Sequence, residues 1–175
     1  MPYKHVFGID PGEVNTGFVW IKYDTETKTG DTKIMAIYDV DGLHDILKVV
    51  WGLTQVKTTE DPTKHNPPEI YFAVENFRVN SSQDVRKKMW VWDEVKTIRI
   101  IGAIELAAKW CGASITLQEP AHVLPMARKW ASGQFKMAKH PRDDQSAWCH
   151  AVHFMMKRRW IGTADQITMH GQGTL

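Results

Sequence analysis

Short apolar runs closed by turn residues recur along the first half of the chain. Lys4 to Asp10 is apolar from Val6 to Ile9 and ends in Asp10-Pro11-Gly12, the pattern of a buried strand entering a sharp turn. Thr16 to Tyr23 alternates loosely and stops at Asp24-Thr25, and Gly30-Asp31 leads into Lys33 to Tyr38. Three consecutive strands follow from this, the later pair joined by a hairpin-like turn. After Asp41-Gly42, the residues Leu43, Ile46, Leu47, Val50 and Leu53 mark one face of a helix over about 43–53. A polar, proline-punctuated loop from Thr58 to Pro68 then delivers a second buried strand, Ile70-Tyr71-Phe72-Ala73-Val74-Glu75.

The second half reads as helices around one further strand. Ser81-Ser82-Gln83-Asp84 can cap a long helix from Val85 to about Trp110. One apolar stripe holds Val85, Met89, Trp92, Val95, Ile98 and Ile101, and a second set holds Trp90, Ile100, Ala103, Leu106 and Trp110. That width predicts burial on two sides or a contact with a second copy. Gly112 ends the helix, Ala113 to Leu117 is a fifth strand, and Pro120 to Trp130 is a short helix. The last helix is expected from about Pro141 to Arg159, with Thr163 to Leu175 a loose, polar tail. The domain expectation is therefore one unit over 1–162 and a flexible end over 163–175.

Composition changes this picture little. The chain of 175 residues is 43% hydrophobic and 24% charged, ordinary for one globular domain with a real core. No apolar run is long enough to span a bilayer and the N-terminus lacks a signal-peptide pattern. Two cysteines, Cys111 and Cys149, lack ligand spacing and read as core packing in a reducing compartment, so a cytoplasmic protein is expected. The net charge is only +2, but Arg128, Lys129, Lys136, Lys139, Arg142, Lys157, Arg158 and Arg159 face only Asp143 and Asp144 over that stretch. Such a stripe is either a solvated face or a surface for a polyanion.

The chemistry is carried by acids at the ends of elements. Asp10 closes the first strand and Glu75 the fourth, where α/β sheets gather ligands. Asp10 alone could serve an Asx turn, but five apolar residues before Glu75 make a mere strand-edge charge a poor account of the pair. His140-Pro141-Arg142-Asp143-Asp144 opens the last helix; acids there suit the helix dipole, yet two acids and a histidine exceed a cap's needs. If Asp10, Glu75 and Asp143 (or Asp144) converge, their repulsion demands cations, and hard oxygen donors select Mg²⁺ or Mn²⁺. Two ions about 4 Å apart suit in-line displacement at a phosphodiester. His150 and His153, inside an apolar helix, receive no role.

The motif set resembles the ribonuclease H-like nucleases, and among them the RuvC-type Holliday junction resolvases. Gly8-Ile9-Asp10-Pro11-Gly12 with Thr16-Gly17 looks like that family's first motif, and Val74-Glu75-Asn76-Phe77 looks like its second. Gly102, Ala108 and the fifth strand match its middle, and His140-x-x-Asp143 is similar to its last motif. The resemblance implies an α/β fold with a mixed five-stranded sheet, three antiparallel strands then two parallel, flanked by helices. It implies Asp10, Glu75 and Asp143 as metal-binding catalytic acids and His140 as a fourth active-site position. It places Gly12, Phe77, Arg78, Lys129, Lys136 and Lys139 on DNA. It also implies a homodimer that nicks four-way DNA with two Mg²⁺ per site, Mn²⁺ substituting.

The chain departs from that pattern in three places. Phe77 follows the glutamate by two residues, where the family's aromatic follows by three. The segment between Gly133 and His140 is short, and Asp144 stands where the family usually has alanine, which keeps both Asp143 and Asp144 as candidates. The compact form looks like phage-encoded members, which cut several kinds of branched DNA. Two other functions remain open from sequence: a ribonuclease H-type enzyme on RNA–DNA hybrids, and a branched-DNA-binding module without catalysis. An actin-like ATPase shares the first motif but needs two such domains.

Overall fold

A computed structural model describes residues 3–12, 14–39, 48, 52, 69–76, 91–131 and 141–169. The strands are β1 (Tyr3–Pro11), β2 (Asn15–Asp24), β3 (Thr29–Asp39), β4 (Glu69–Glu75), β5 (Ser114–Gln118) and β6 (Ile167–Met169). The helices among the described residues are α1 (Val91–Cys111), α2 (Pro120–Ala131) and α3 (Asp143–Lys157), with a 3₁₀ turn at Ala164–Gln166. Among the described residues one sheet holds all six strands, in the order β5-β4-β1-β2-β3-β6. β1, β2 and β3 pair antiparallel, while β4 runs parallel to β1 and β5 parallel to β4. Of the helix expected over 43–53 only Lys48 and Gly52 are described, both helical and exposed, and the start of the long helix before Val91 lies outside the described residues.

The alternation along the strands divides the core into two. Phe7, Ile9, Phe18, Phe72 and Val74 face α1, where they meet Ile100, Ile104 and Ala108. Phe7 stacks on Phe18 and on Phe72, with centroids 5.6 and 5.3 Å apart. Val6, Val19, Ile21 and Ala73 face the other way, against Ala147, Trp148, Ala151, Val152 and Met155 of α3. Strands covered on both faces account for apolar runs with no polar face. Each fully buried large side chain contributes about 1.5–3 kcal/mol.

Two expectations change. The contact face of α1 follows neither stripe read from the sequence: Thr97, Ile100, Ile104, Ala107 and Ala108 are buried, while Ile98, Leu106 and Trp110 are exposed. Apolar and charged residues are spread around this helix, so periodicity does not choose the inward side. The sheet also has six strands, and the sixth comes from the segment expected to be loose. Ile167, fully buried, sits opposite Gly30 in a parallel pairing of β6 with β3. The Gln166 side chain fixes the approach, accepting from the Gly162 N–H at 2.6 Å and donating to the Lys28 carbonyl at 2.8 Å. Trp160 stacks on Tyr23 and accepts the Tyr23 hydroxyl on its carbonyl, turning the chain back to the sheet after α3. Residues 170–175 lie outside the described residues.

Candidate active site

Strand register builds one side of the site. Asp10 pairs with Gly17 of β2, and it lies one step past the last β1–β4 pair, Ile9 with Val74, which sets it beside Glu75. Glu75 in turn pairs with Gln118 at the end of β5. Ile9 and Val74 face α1, so their neighbours Asp10 and Glu75 face α3. The sheet thus carries a row, Gly17–Asp10–Glu75–Gln118, on its α3 side and at the carboxyl ends of β1, β4 and β5. Gly12 closes the turn beyond Asp10, its N–H donating to the Asp10 carbonyl at 3.1 Å.

Helix α3 is laid across that row without spacing side chains. A Cβ on Gly17 would stand 1.9 Å from the carbonyl oxygen of Asp143, and one on Gly8 would stand 2.0 Å from that of Ala147. The two glycines, one on each of two adjacent strands, let the first turns of α3 touch the sheet backbone. Ser146 comes down beside the acids, 3.4 Å from Glu75 Oε2, and its hydroxyl hydrogen-bonds Asp10. One turn on, the fully buried His150 places Nε2 3.0 Å from Glu75 Oε2 and Nδ1 2.8 Å from Gln118 Oε1.

The acids perturb one another as like charges in a dry place should. Burial first, then the charges of Glu75 and Asp143, push the Asp10 carboxyl up to about 8, against the pull of the Ser146 hydrogen bond. Asp143 is raised by burial, then by Asp144 and Glu75.

The two adjacent acids of the last helix have separate surroundings. The buried Asp144 takes the Arg142 guanidinium on both oxygens, with Nε 3.1 Å from Oδ1, and accepts the Gln145 N–H at 2.9 Å. Its carboxylate is paired with that guanidinium. Asp143 has no such cation among the described residues, and the charge of Glu75 is near enough to help raise it. Lys129 is exposed on the last turn of α2. His140, Phe77, Arg78, Lys136 and Lys139 lie outside the described residues. Sequence reasoning did not find Ser146, Gln118 or His150. The signal for His150 was its spacing of seven residues, two helical turns, after Asp143.

Hard divalent cations fit this donor set. The acids are oxygen ligands, and a cation among them would relieve the repulsion that raises Asp10. Among the described residues no three potential ligands already enclose a common point. Mg²⁺ commonly keeps several waters and takes one or two carboxylates plus substrate phosphate, so a prebuilt cage is not its usual form.

No known protein family and no curated protein matches the chain in sequence. In three dimensions it is similar to Thermus thermophilus RuvC in complex with a Holliday junction substrate, at a TM-score of 0.56 and 19% identity, over 89% of this chain and 95% of that one. A second structure of Thermus thermophilus RuvC aligns at a TM-score of 0.52 and 17% identity, over 89% of this chain and 96% of the other. The fold is ribonuclease H-like. Within that ribonuclease H-like frame, the acid row sits at the carboxyl ends of the central parallel strands, with the last helix delivering the third acid.

Proposed function

We propose that the protein is a metal-dependent, structure-selective endonuclease that cleaves Holliday junctions and other branched DNA, in recombination, repair or phage DNA processing. The observation that carries this reading is the juxtaposition of Asp10 and Glu75 at the carboxyl ends of two adjacent central strands, close to Asp143, with Asp10 pushed up to about 8. Like charges brought together by strand register, helix placement and two glycines have no structural benefit of their own. They suit a site that gathers cations around a phosphodiester. The fold shared with RuvC, one structure of which is a complex with a Holliday junction substrate, supports branched DNA as the substrate class.

In this reading Asp10, Glu75 and Asp143 hold two Mg²⁺ ions, Asp10 being central in the row. Bound there, the metal supplies Lewis-acid stabilisation for phosphodiester hydrolysis. The chain's own part is placement. Strand pairing sets Asp10 and Glu75 side by side, Ser146 donates to Asp10, and His150 holds Glu75 against the sheet. His140, Phe77 and Arg78 complete the proposed site and junction contacts, with Gly12, Lys129, Lys136 and Lys139 along the DNA backbone. A homodimer belongs to the same reading, supported by the outward Ile98, Leu106 and Trp110 of α1.

The test is cleavage of a labelled four-way junction, with duplex DNA and an RNA–DNA hybrid as controls, in Mg²⁺ and in EDTA, for the natural protein and Asp10→Asn. Symmetric nicks that vanish in EDTA and in the variant are expected. Cutting of the hybrid alone would assign a ribonuclease, and junction binding without cleavage under any divalent metal would leave a binding module.

A further inference from the structure

One oxygen of the Glu75 carboxylate is already engaged. Its Oε2 lies 3.0 Å from His150 Nε2 and 3.4 Å from the Ser146 hydroxyl, both on α3. Ser146 and His150 are four residues apart, so one face of the helix presents the two groups together. His150 is itself held, because its Nδ1 lies 2.8 Å from Oε1 of Gln118, the residue opposite Glu75 in the β4–β5 pairing. The ring is fully buried and Gln118 only 7% exposed, whereas the Glu75 side chain is 19% exposed. A rigid, buried bridge therefore grips one oxygen of an acid whose other oxygen, Oε1, is the one it can turn on a cation.

We propose that Gln118 and His150 are positioning residues that keep Glu75 a one-oxygen ligand, and so make the acid row select Mg²⁺ or Mn²⁺ over Ca²⁺. Mg²⁺ demands near-ideal octahedral geometry, whereas Ca²⁺ takes about six to eight oxygens in flexible arrangements that include carboxylates bound through both oxygens. With Oε2 committed to His150, Glu75 does not supply a second oxygen. Selection between the two cations turns on ligand number and flexibility, and the bridge lowers both. A histidine that only filled the core would need partners for its two nitrogens, and any two would serve. Here one partner is an acid of the site, and the other fixes the ring from the neighbouring strand end. The inference rests on the metal site of the proposed function, and deepens it by assigning the choice of cation to residues outside the three acids.

The test reads metal binding without DNA, as the rise in melting temperature of the full chain titrated with Mg²⁺ or with Ca²⁺. Asp10→Asn, in which the rise should disappear, marks it as binding at the acid row. His150→Ala frees Oε2 directly, and the volume-conserving Gln118→Met frees the ring that grips it. In His150→Ala the Mg²⁺ affinity is expected to fall about 10–100-fold while the Ca²⁺ affinity holds or rises. Gln118→Met should move the ratio of the two affinities the same way by less, and it decides the matter if the alanine variant does not fold. Glu119→Ala is the control: it removes the partner of the Asn76 amide, 2.7 Å away and one residue beyond Glu75, without freeing Oε2, so the ratio should stay level. Affinities for the two cations that fall together, or a ratio unmoved in both variants, would overturn the inference and leave the proposed function standing. A natural protein stabilised by neither cation, or stabilised equally after Asp10→Asn, would instead remove the metal site and the proposed function with it.

Discussion

The backbone of Asp143 rests directly on Gly17: a Cβ on that glycine would lie 1.9 Å from the Asp143 carbonyl oxygen and 2.1 Å from its carbon. Because Gly17 is also the β2 partner of Asp10, one position sets the separation between the first strand's acid and the last helix's acid. Backbone atoms cannot yield as a flexible side chain can. Gly17→Ala should therefore push α3 off the sheet, costing about 2–4 kcal/mol in denaturant unfolding and abolishing cleavage. Gly102→Ala is the control. Nothing lies within 4 Å of its added Cβ, so removing a helical glycine should be neutral or gain up to about 1 kcal/mol.

Asp143 and Asp144 should separate cleanly on substitution. Asp143→Asn removes an acid raised by burial and by its acidic neighbours, and should lower the cleavage rate by about 10²-fold or more while leaving the melting temperature level or higher. Asp144→Asn strips the partner from Arg142, whose side chain is 55% exposed, so solvent limits the penalty to about 1–2 kcal/mol. Its cleavage rate should hold within a few-fold once stability is allowed for. Equal loss of activity with no loss of stability in Asp144→Asn would reverse the two assignments.

Much of this arrangement is legible from residue order. The run Val6 to Ile9 is apolar on both faces because helices cover both faces, and its end at Asp10 is therefore visible, as is Glu75 at the end of β4. Asp143 and Asp144 cannot be told apart by spacing, because the discriminating partner is the neighbouring guanidinium and its rotamer. Gln118 and Ser146 are short polar residues in ordinary positions, given a role by register alone. The β6 strand escapes detection because three residues with one buried isoleucine make no pattern, and a glutamine side chain supplies the anchoring.

Without divalent metal, stability should fall as pH rises. Asp10 sits at about 8 in the folded chain against 3.8 as its ordinary value, so between those values the native state holds the proton more tightly than the unfolded one. That contribution is fully present below about 3.8 and is lost as pH rises through about 8. Asp143, also raised, acts in the same direction. Melting in EDTA should show the decline, Asp10→Asn should flatten it, and added Mg²⁺ should stabilise the natural protein more at pH 8 than at pH 6. A decline of equal steepness in Asp10→Asn would remove Asp10 as its source.

The outer face of α1 should govern association. Trp110 is 73% exposed and Leu106 47%, two large apolar side chains one turn apart on a helix whose other side packs on the sheet. Trp110→Glu combined with Leu106→Glu changes no buried contact and should leave the melting temperature of a monomer unchanged. In sedimentation velocity the natural protein should run as a dimer and the double variant as a monomer. A monomer in both cases would remove the homodimer from the proposed function.

His150 should act on the reaction through Glu75. Its ring is fully buried, and it bridges the Glu75 carboxylate to the Gln118 amide at 3.0 and 2.8 Å, so the glutamate oxygen is anchored by the helix. Partners that orient a metal-ligating group typically govern 10–100-fold of metal affinity or activity. His150→Gln retains a donor of similar reach, whereas His150→Ala leaves a cavity and a glutamate without its anchor. The alanine variant should therefore require about 10–100-fold more Mg²⁺ for half-maximal cleavage, and the glutamine variant should recover part of that shift. A histidine that merely fills the core would instead lower the melting temperature in both variants and leave the Mg²⁺ midpoint unmoved.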